Sequence, residues 1–237
     1  MARLFEELDY RTTPIGDISL RRRHEPRIQR DVFEIKLGDE FLMSSIITES
    51  EIALGRLGVA ACTGDQLDIA VGGLGLGYTA GAVLDEPRVA TLVVIDFLQA
   101  VIDWHESALL PLGPRLTSDP RCSLAQGDFF ALAASDKGLD ADRPGRKFHA
   151  ILVDIDHSPE ALLDARSNSF YTPAGFARLA THLHPGGVFG LWSDDEPDPQ
   201  ITARLAEVFA EAWAEPVTFA VPMRDAPFTQ TVYLARK

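Results

Sequence analysis

The stretch LDIAVGGLGLGYTAGAVL (67–84) decides how the rest of the chain is read. LDIAVG is an apolar run of the length and composition of a buried strand, and TAGAVL is built from small helix formers. Between them, VGGLGLG (71–77) reads as a strand-to-helix turn in which Gly73, Gly75 and Gly77 let backbone amides approach a ligand with no Cβ in the way. The G-x-G-x-G spacing is shared by nucleotide, flavin and sulfonium-nucleoside binders, and also by tight turns that bind nothing. The following apolar run, VATLVVID (89–96), ends in Asp96, a position from which a carboxylate can take both hydroxyls of a ribose. The turn and the acid together favour a nucleoside ligand over a bare turn.

Outward from this unit, apolar bursts keep alternating with helical stretches. FLQAVIDWHESALL (97–110) reads as a helix, CSLAQGD (122–128) and FHAILVDID (148–156) as strands, and TPAGFARLATHL (172–183) as a helix stopped by Pro-Gly-Gly. The strand GVFGLW (187–192) and the helix PQITARLAEVFAEAW (199–213) follow. Such alternation means a parallel sheet. PVTFAVP (216–222) and TQTVYLA (229–235), either side of the turn MRDAPF (223–228), are expected to close it as an antiparallel hairpin.

Upstream, Ile18 and Leu20, Phe33 and Ile35, and Phe41 and Met43 alternate with polar neighbours, and Gly38-Asp39 separates the last two pairs. Residues 10–46 therefore read as β-hairpins. Thr48 with Glu51 has the spacing of a capping box, and Ile52, Leu54, Leu57 and Val59 continue as a helix despite Gly55 and Gly58. The expected division is an N-terminal β-hairpin subdomain (1–47) and an α/β domain (48–237).

A third strand end carries Gly127 and Asp128, in QGDFF. Asp128 could accept a hydrogen bond from an adenine amino group, or simply cap the helix FFALAA. Glycine turn, then acid, then Gly-Asp is the layout of the Rossmann-like methyltransferase superfamily, whose sheet has seven strands. A dehydrogenase would repeat a second mononucleotide unit where this chain has a terminal hairpin.

The fourth strand end, FHAILVDIDHSPE (148–160), puts Asp154, Asp156, His157 and Glu160 at the edge where open α/β sheets bind ligands. Asp156 and Glu160 could equally cap a helix that starts at Pro159. With these residues in view, the sequence resembles the spermidine synthase family of aminopropyltransferases over most of residues 10–235. The N-terminal hairpins, the TESE helix start, Asp96, Gly127-Asp128, Asp154 and the run SFYTPAGFARLATHLHPGGVFGLW (169–192) carry the resemblance.

The resemblance implies a transferase that moves an aminopropyl group from decarboxylated adenosylmethionine to an amine or polyamine. It places Asp154 beside the acceptor nitrogen as the group that takes its proton, since an ammonium cannot attack carbon. It implies Glu51, Asp156, His157, Glu160 and Tyr171 on the acceptor side, and a homodimer formed through the hairpin region; independently of it, Trp192 with Asp194, Asp195 and Glu196 could wall a cationic substrate, or those acids could simply start a helix before Pro197.

The chain departs from the family where the donor ends. The family's glycine turn is Gly-Gly-Gly-Asp-Gly-Gly, with its Asp on the donor's ammonium; the matching stretch here, Gly72-Gly73-Leu74-Gly75-Leu76-Gly77, has no acid. The family's Tyr-His-Glu appears as Glu49-Ser50-Glu51, and its Asp-x-x-Asp-Pro is displaced to Asp156 or His157 with Ser158 before Pro159. The rival expectations are therefore methyl transfer from adenosylmethionine on the same scaffold, and a nucleoside-binding protein without catalysis.

Composition bounds the partners. The 237 residues include 22 Lys and Arg against 35 Asp and Glu, a formal net charge of −13 that would repel phosphate backbones and anionic lipid headgroups. Seven Arg lie within residues 1–30 (Arg3, Arg11, Arg21, Arg22, Arg23, Arg27, Arg30), but no aromatic interleaving makes them a nucleic-acid footprint. They read as a solvated basic strand or a subunit contact. Cys62 and Cys122 stand alone, and His105, His149, His182 and His184 lack metal-ligand spacing, so no metal is assigned. MARLFEELDY has no signal-peptide layout and no apolar run is long enough to span a bilayer, so a reducing cytoplasm is the expected compartment.

Overall fold

The computed structural model describes residues 5–222 and 226–237, so Arg3 and the first three residues of the closing turn lie outside the described residues. The N-terminal alternation forms a four-stranded antiparallel sheet in the order β1 (Phe5–Thr13), β2 (Gly16–Glu25), β3 (Arg30–Leu37), β4 (Glu40–Ser44). Gly38 makes the two-residue β3–β4 turn possible, with φ at +57° in the left-handed region. The arginines of β2 meet acids on neighbouring strands: Arg22 pairs with Glu6 at 2.6 Å, Arg23 with Glu34 at 2.8 Å and Arg21 with Glu7 at 3.5 Å. This part of the basic run is thus balanced within the sheet.

Helix α1 (Glu49–Ala60) follows, and its start differs from the expected capping box. Thr48 makes no side-chain cap, and its own amide donates to Glu49 Oε2 at 2.9 Å. Glu51 is instead buried and turned inward, because a helix that packs on the sheet presents its third residue to the interior. Gly55 and Gly58 are what let α1 lie close. A Cβ at Gly55 would come within 2.8 Å of the Thr79 carbonyl oxygen, and one at Gly58 within 2.4 Å of Leu152.

The main sheet has seven strands in the order β10-β11-β9-β8-β5-β6-β7. In chain order these are β5 (Leu67–Gly72), β6 (Val89–Asp96), β7 (Cys122–Gln126), β8 (Phe148–Val153), β9 (Leu183–Ser193), β10 (Glu211–Phe219) and β11 (Phe228–Arg236). The first five are parallel, and β11 inserts antiparallel between β9 and β10, as the closing hairpin requires. The chain reverses direction in the sheet at β5, placing β6 and β7 on one flank and β8 and β9 on the other. Helices α2 (Tyr78–Leu84), α3 (Gln99–Glu106), α4 (Gly113–Ser118), α5 (Phe129–Ala134), α6 (Pro173–Ala180) and α7 (Pro199–Ala206) connect the strands.

Three local expectations are corrected. The last helix ends at Ala206 rather than continuing to 213: Phe209 stacks on Phe189, and Glu211–Phe219 takes the sheet edge. The stretch 97–110 splits into α3 and a turn before α4. Asp156 and Glu160 cap no α-helix, since 155–164 is a loop closed by a Ser158–Ala161 bridge, followed by a single 3₁₀ turn (Ala165–Ser169).

One core runs through both sheets. Ile18, Leu20 and Ile35 of the N-terminal sheet pack in the same cluster as Leu54, Val71 and Trp104. Asp9 ties the junction, accepting from Trp104 Nε1 at 2.6 Å and Arg11 Nε at 2.7 Å, while Arg11 also pairs with Asp103. No helix among the described residues is long and apolar enough to cross a membrane.

Candidate functional site

At the carboxyl ends of the strands, between the two sheets, lies a cavity of about 590 Å³, within the range of small-molecule sites. It is lined by Glu51, Gly73, Gly75, Asp96, Asp128, Asp154, Asp156, His157 and Trp192 from the expected set. The rest of the wall is largely apolar, with Ile35, Leu42 and Met43 from the N-terminal sheet and Phe97, Leu98 and Phe129 from the opposite flank. Arg178 on α6 is the only Lys or Arg of the described lining.

The glycine turn is braced from all sides. Gly73, Gly75 and Gly77 have φ of +93°, +47° and +90°, which an L side chain rarely adopts. A Cβ on Gly73 would sit 1.9 Å from the Asp154 carbonyl oxygen. Asp96 accepts from the Leu74 amide at 2.9 Å and the Leu98 amide at 2.8 Å, with the Gly75 amide beside it. Burial pushes its carboxyl above the usual range, and these amides oppose that shift. The Gly73 amide donates to Ile95 O, the Gly77 amide to Leu74 O, and the Leu76 amide to Met43 Sδ at 2.9 Å. Every amide of the turn from 73 to 77 therefore has an acceptor within the protein. Behind it, buried His105 donates from Nε2 to Gly75 O at 2.9 Å, and burial holds its pKa below the ordinary histidine value.

Asp128 Oδ1 caps α5 by accepting from the Ala131 amide at 3.0 Å, and the residue also lines the cavity. Gly127 stands outside the lining, where its amide supports Asp96 O at 2.9 Å. Gly77 also lies behind the turn, against Leu116 and His105.

On the other flank, Asp154 and Glu51 form a buried acid pair. The Thr79 hydroxyl lies 2.7 Å from Asp154 Oδ2 and 3.1 Å from the Glu51 carbonyl oxygen, joining α1, α2 and the end of β8. Burial, and then the Asp154 charge, pushes Glu51 up to about 8; burial pushes Asp154 up to about 6 against the Thr79 hydrogen bond. Ser50 Oγ is 2.9 Å from Glu51 Oε2, 2.6 Å from Gln230 Oε1, and receives the Trp192 indole N–H at 2.9 Å.

The remaining expected acceptor residues are placed differently. Asp156 is buried with its carboxylate already held by the Leu163 amide (2.7 Å), the Tyr171 hydroxyl (2.8 Å) and the Ser167 hydroxyl (3.1 Å). It borders the cavity but organises the 155–171 loop, and Tyr171 serves it from outside the lining. Glu160 is turned away from the cavity and pairs with Arg204 of α7. His157 faces the cavity, and its carbonyl accepts from the Asp194 amide at 2.7 Å.

Thr79, Ser50, Gln230 and Met43 were not marked by the sequence. Thr79 follows the glycine turn and could have been found there; Gln230 lies 180 residues from Ser50, and no local pattern announces it. At the opposite edge of the sheet Asp68, His149 and His184 come together. His149 Nδ1 accepts the Asp68 amide, the Asp68 carboxylate pairs with Arg146, and the His184 ring lies 4.6 Å from that of His149.

The sheet order defines a Rossmann-like fold of the methyltransferase type, with an extra N-terminal sheet beside the carboxyl ends of its strands. Its fold is that of the spermidine synthases. The spermidine synthase of Thermotoga maritima superposes with a TM-score of 0.74 at 14% identity, over 98% of this chain and 72% of that one. A spermidine synthase in complex with transition state analogue AdoDATO superposes at 0.72, with the same identity and coverage. No protein-family model matches the chain.

Proposed function

We propose that the protein is a transferase that takes an adenosyl-sulfonium donor and moves its aminopropyl group to an amine. Asp96 would hold the ribose hydroxyls, Asp128 the adenine amino group, and Gly73 and Gly75 the stretch between them. The donor supplies a carbon made electrophilic by the adjacent sulfonium. Asp154, on the cavity wall, accepts the proton of the acceptor ammonium and orients the freed nitrogen lone pair toward that carbon. A nitrogen–carbon bond forms as the carbon–sulfur bond breaks, and its electron pair stays on sulfur as a neutral thioether.

The observation that carries the choice of donor is the occupied glycine turn. Adenosylmethionine bears a carboxylate as well as an ammonium, and the amides of 73–77 that could have bound it already have acceptors. Asp154, at the cavity wall, repels an anion and suits a cation. A decarboxylated donor meets neither obstacle. Methyl transfer from adenosylmethionine is the second reading, favoured by Leu74 and Leu76 standing where an acid would meet the aminopropyl ammonium.

Calorimetric titration with adenosylmethionine, its decarboxylated form and methylthioadenosine side by side tests the reading. Tighter binding of the decarboxylated donor by tenfold or more is expected. Preference for adenosylmethionine establishes the methyl-transfer reading instead, and no binding of any of the three leaves a scaffold without this chemistry.

A further inference from the structure

Tyr78 and Thr79 open the helix into which the glycine turn leads. Gly77 stands at the N-cap of α2 with no side chain to offer, so the helix begins directly behind the turn and Thr79 is its second residue. Side chains of a helix lean toward its N-terminus, and a β-branched one is stiff at χ1, so the Thr79 hydroxyl is aimed back toward the turn. Thr79 is 3% exposed, and a hydroxyl buried that deeply needs a partner. For its one proton two acceptors lie within reach, Asp154 Oδ2 at 2.7 Å and the Glu51 carbonyl oxygen at 3.1 Å. The shorter contact, to a carboxylate, is the stronger.

Asp154 is tied to the same turn through its backbone. Its amide donates to Gly72 O at 2.8 Å, and its carbonyl oxygen lies so close to Gly73 that only a residue without a Cβ fits there. Of its two carboxylate oxygens, Oδ2 is held by Thr79, and among the described residues no side chain donates to Oδ1. Asp154 lines the cavity, so Oδ1 is the oxygen left for a ligand. The glycine turn and the acid at the end of β8 are thus one mechanical unit, joined at Gly72, Gly73 and Thr79.

We propose that Thr79 is a positioning residue of the transfer, whose hydroxyl fixes the rotation of the Asp154 carboxylate and so presents Oδ1 to the acceptor nitrogen beside the donor turn. This rests on the transferase reading above and adds a residue to it. Removing a hydrogen bond that the ionised carboxylate accepts raises the pKa of that carboxylate. The other ionisable groups around Asp154 are the same in every Thr79 variant. They are Glu51 on α1, which feels its charge, Asp96 and Asp128 beyond the turn, Asp156, His157 and Asp164 on the segment that follows it, and Arg178 on α6. The N-terminal sheet brings no ionisable side chain to the described lining. A change in the titration of Asp154 therefore reports the hydroxyl.

The test compares Thr79→Val, which keeps the shape and loses the hydroxyl, with Thr79→Ser, which keeps the hydroxyl, in the full chain. Carbon-13 NMR follows the Asp154 carboxyl across its titration, with the signal assigned by its loss in Asp154→Asn. The midpoint is expected to rise by about one pH unit in Thr79→Val and to return to within about 0.3 unit in Thr79→Ser. Transfer from decarboxylated adenosylmethionine to 1,4-diaminobutane is read as methylthioadenosine released. There kcat is expected to fall at least tenfold in Thr79→Val, with the donor KM within threefold, and serine is expected to restore most of the rate. A midpoint that does not move in Thr79→Val overturns the inference, as does a rate loss that serine leaves in place. Thr79→Ala carries the same expectations and decides the matter if the valine variant does not fold. Absence of methylthioadenosine release by the unaltered protein bears on the transferase reading alone, and the carboxyl titration still decides whether Thr79 holds Asp154.

Discussion

Glu51 and Asp154 share one buried corner, and their titration should be visible in stability. The Glu51 carboxyl is raised from its ordinary 4.5 to about 8, so the native state holds a proton that the unfolded chain has released. Its contribution is fully present below about pH 4.5 and is lost as the pH rises toward 8; Asp154, raised from 3.8 to about 6, acts in the same direction over a lower window. Glu51→Gln keeps an acceptor for the Ser50 hydroxyl and cannot ionise. Its stability relative to the unaltered protein is expected to improve by about 1–2 kcal/mol between pH 5 and pH 8. Urea melts at the two pH values check this, and a pH-independent difference would mean that Glu51 is ionised in the fold. One variant separates the turn-bracing role of Asp96 from its proposed ribose contact. Asp96→Ala is expected to weaken methylthioadenosine binding by about 1.5–3 kcal/mol. It should also lower stability by about 1–3 kcal/mol, because the Leu74 and Leu98 amides lose their acceptor. An unchanged dissociation constant would remove Asp96 from the binding site.

Helix α1 shows how packing and chemistry meet in one element. It reaches the sheet through Gly55 and Gly58, and it carries Ser50 and Glu51 at its buried first turn. Gly55→Ala would gain about 1 kcal/mol of helix propensity. Against that, the new Cβ presses on Thr79 O and Ala82 Cβ at 2.8 Å, an overpacking cost of about 1–3 kcal/mol. The expected net result is a lower urea midpoint. Because Thr79 bridges Glu51 and Asp154, weaker amine binding than the stability loss alone explains should accompany it. A stabilised variant with unaltered binding would show that α1 and α2 have room to separate. The closing segment shows the limit of pattern reading: AEVFAEAW has helical composition, yet Phe209 is drawn onto Phe189 and the residues after it fill the sheet edge. Propensity lost to tertiary pairing there, as it commonly does for strands at a sheet edge.

For the whole molecule, the division into a hairpin subdomain and a Rossmann-like domain is a matter of topology more than of stability. Ile18, Leu20 and Ile35 share a core with Leu54 and Val71, and Asp9 binds Trp104 across the junction. We propose that the two sheets unfold together. Urea unfolding followed by tryptophan fluorescence and by far-ultraviolet circular dichroism is expected to give coincident transitions; two separated transitions would make the N-terminal sheet an independent unit. The strands, the glycine turn, Asp96, Asp128 and the sheet class were legible in the chain because each is a short-range pattern: a period, a turn residue, an acid at a strand end. What the acids do there was not legible. Asp156 and Glu160 look alike in sequence beside Asp154, and only the fold shows one saturated by Tyr171, Ser167 and Leu163, another paired with Arg204, and Asp154 left to face the cavity. The raised pKa of Glu51 comes from burial and from Asp154, about a hundred residues further along the chain. Charge at a buried site is set by such long-range neighbours and by loss of water, and neither is written in local spacing.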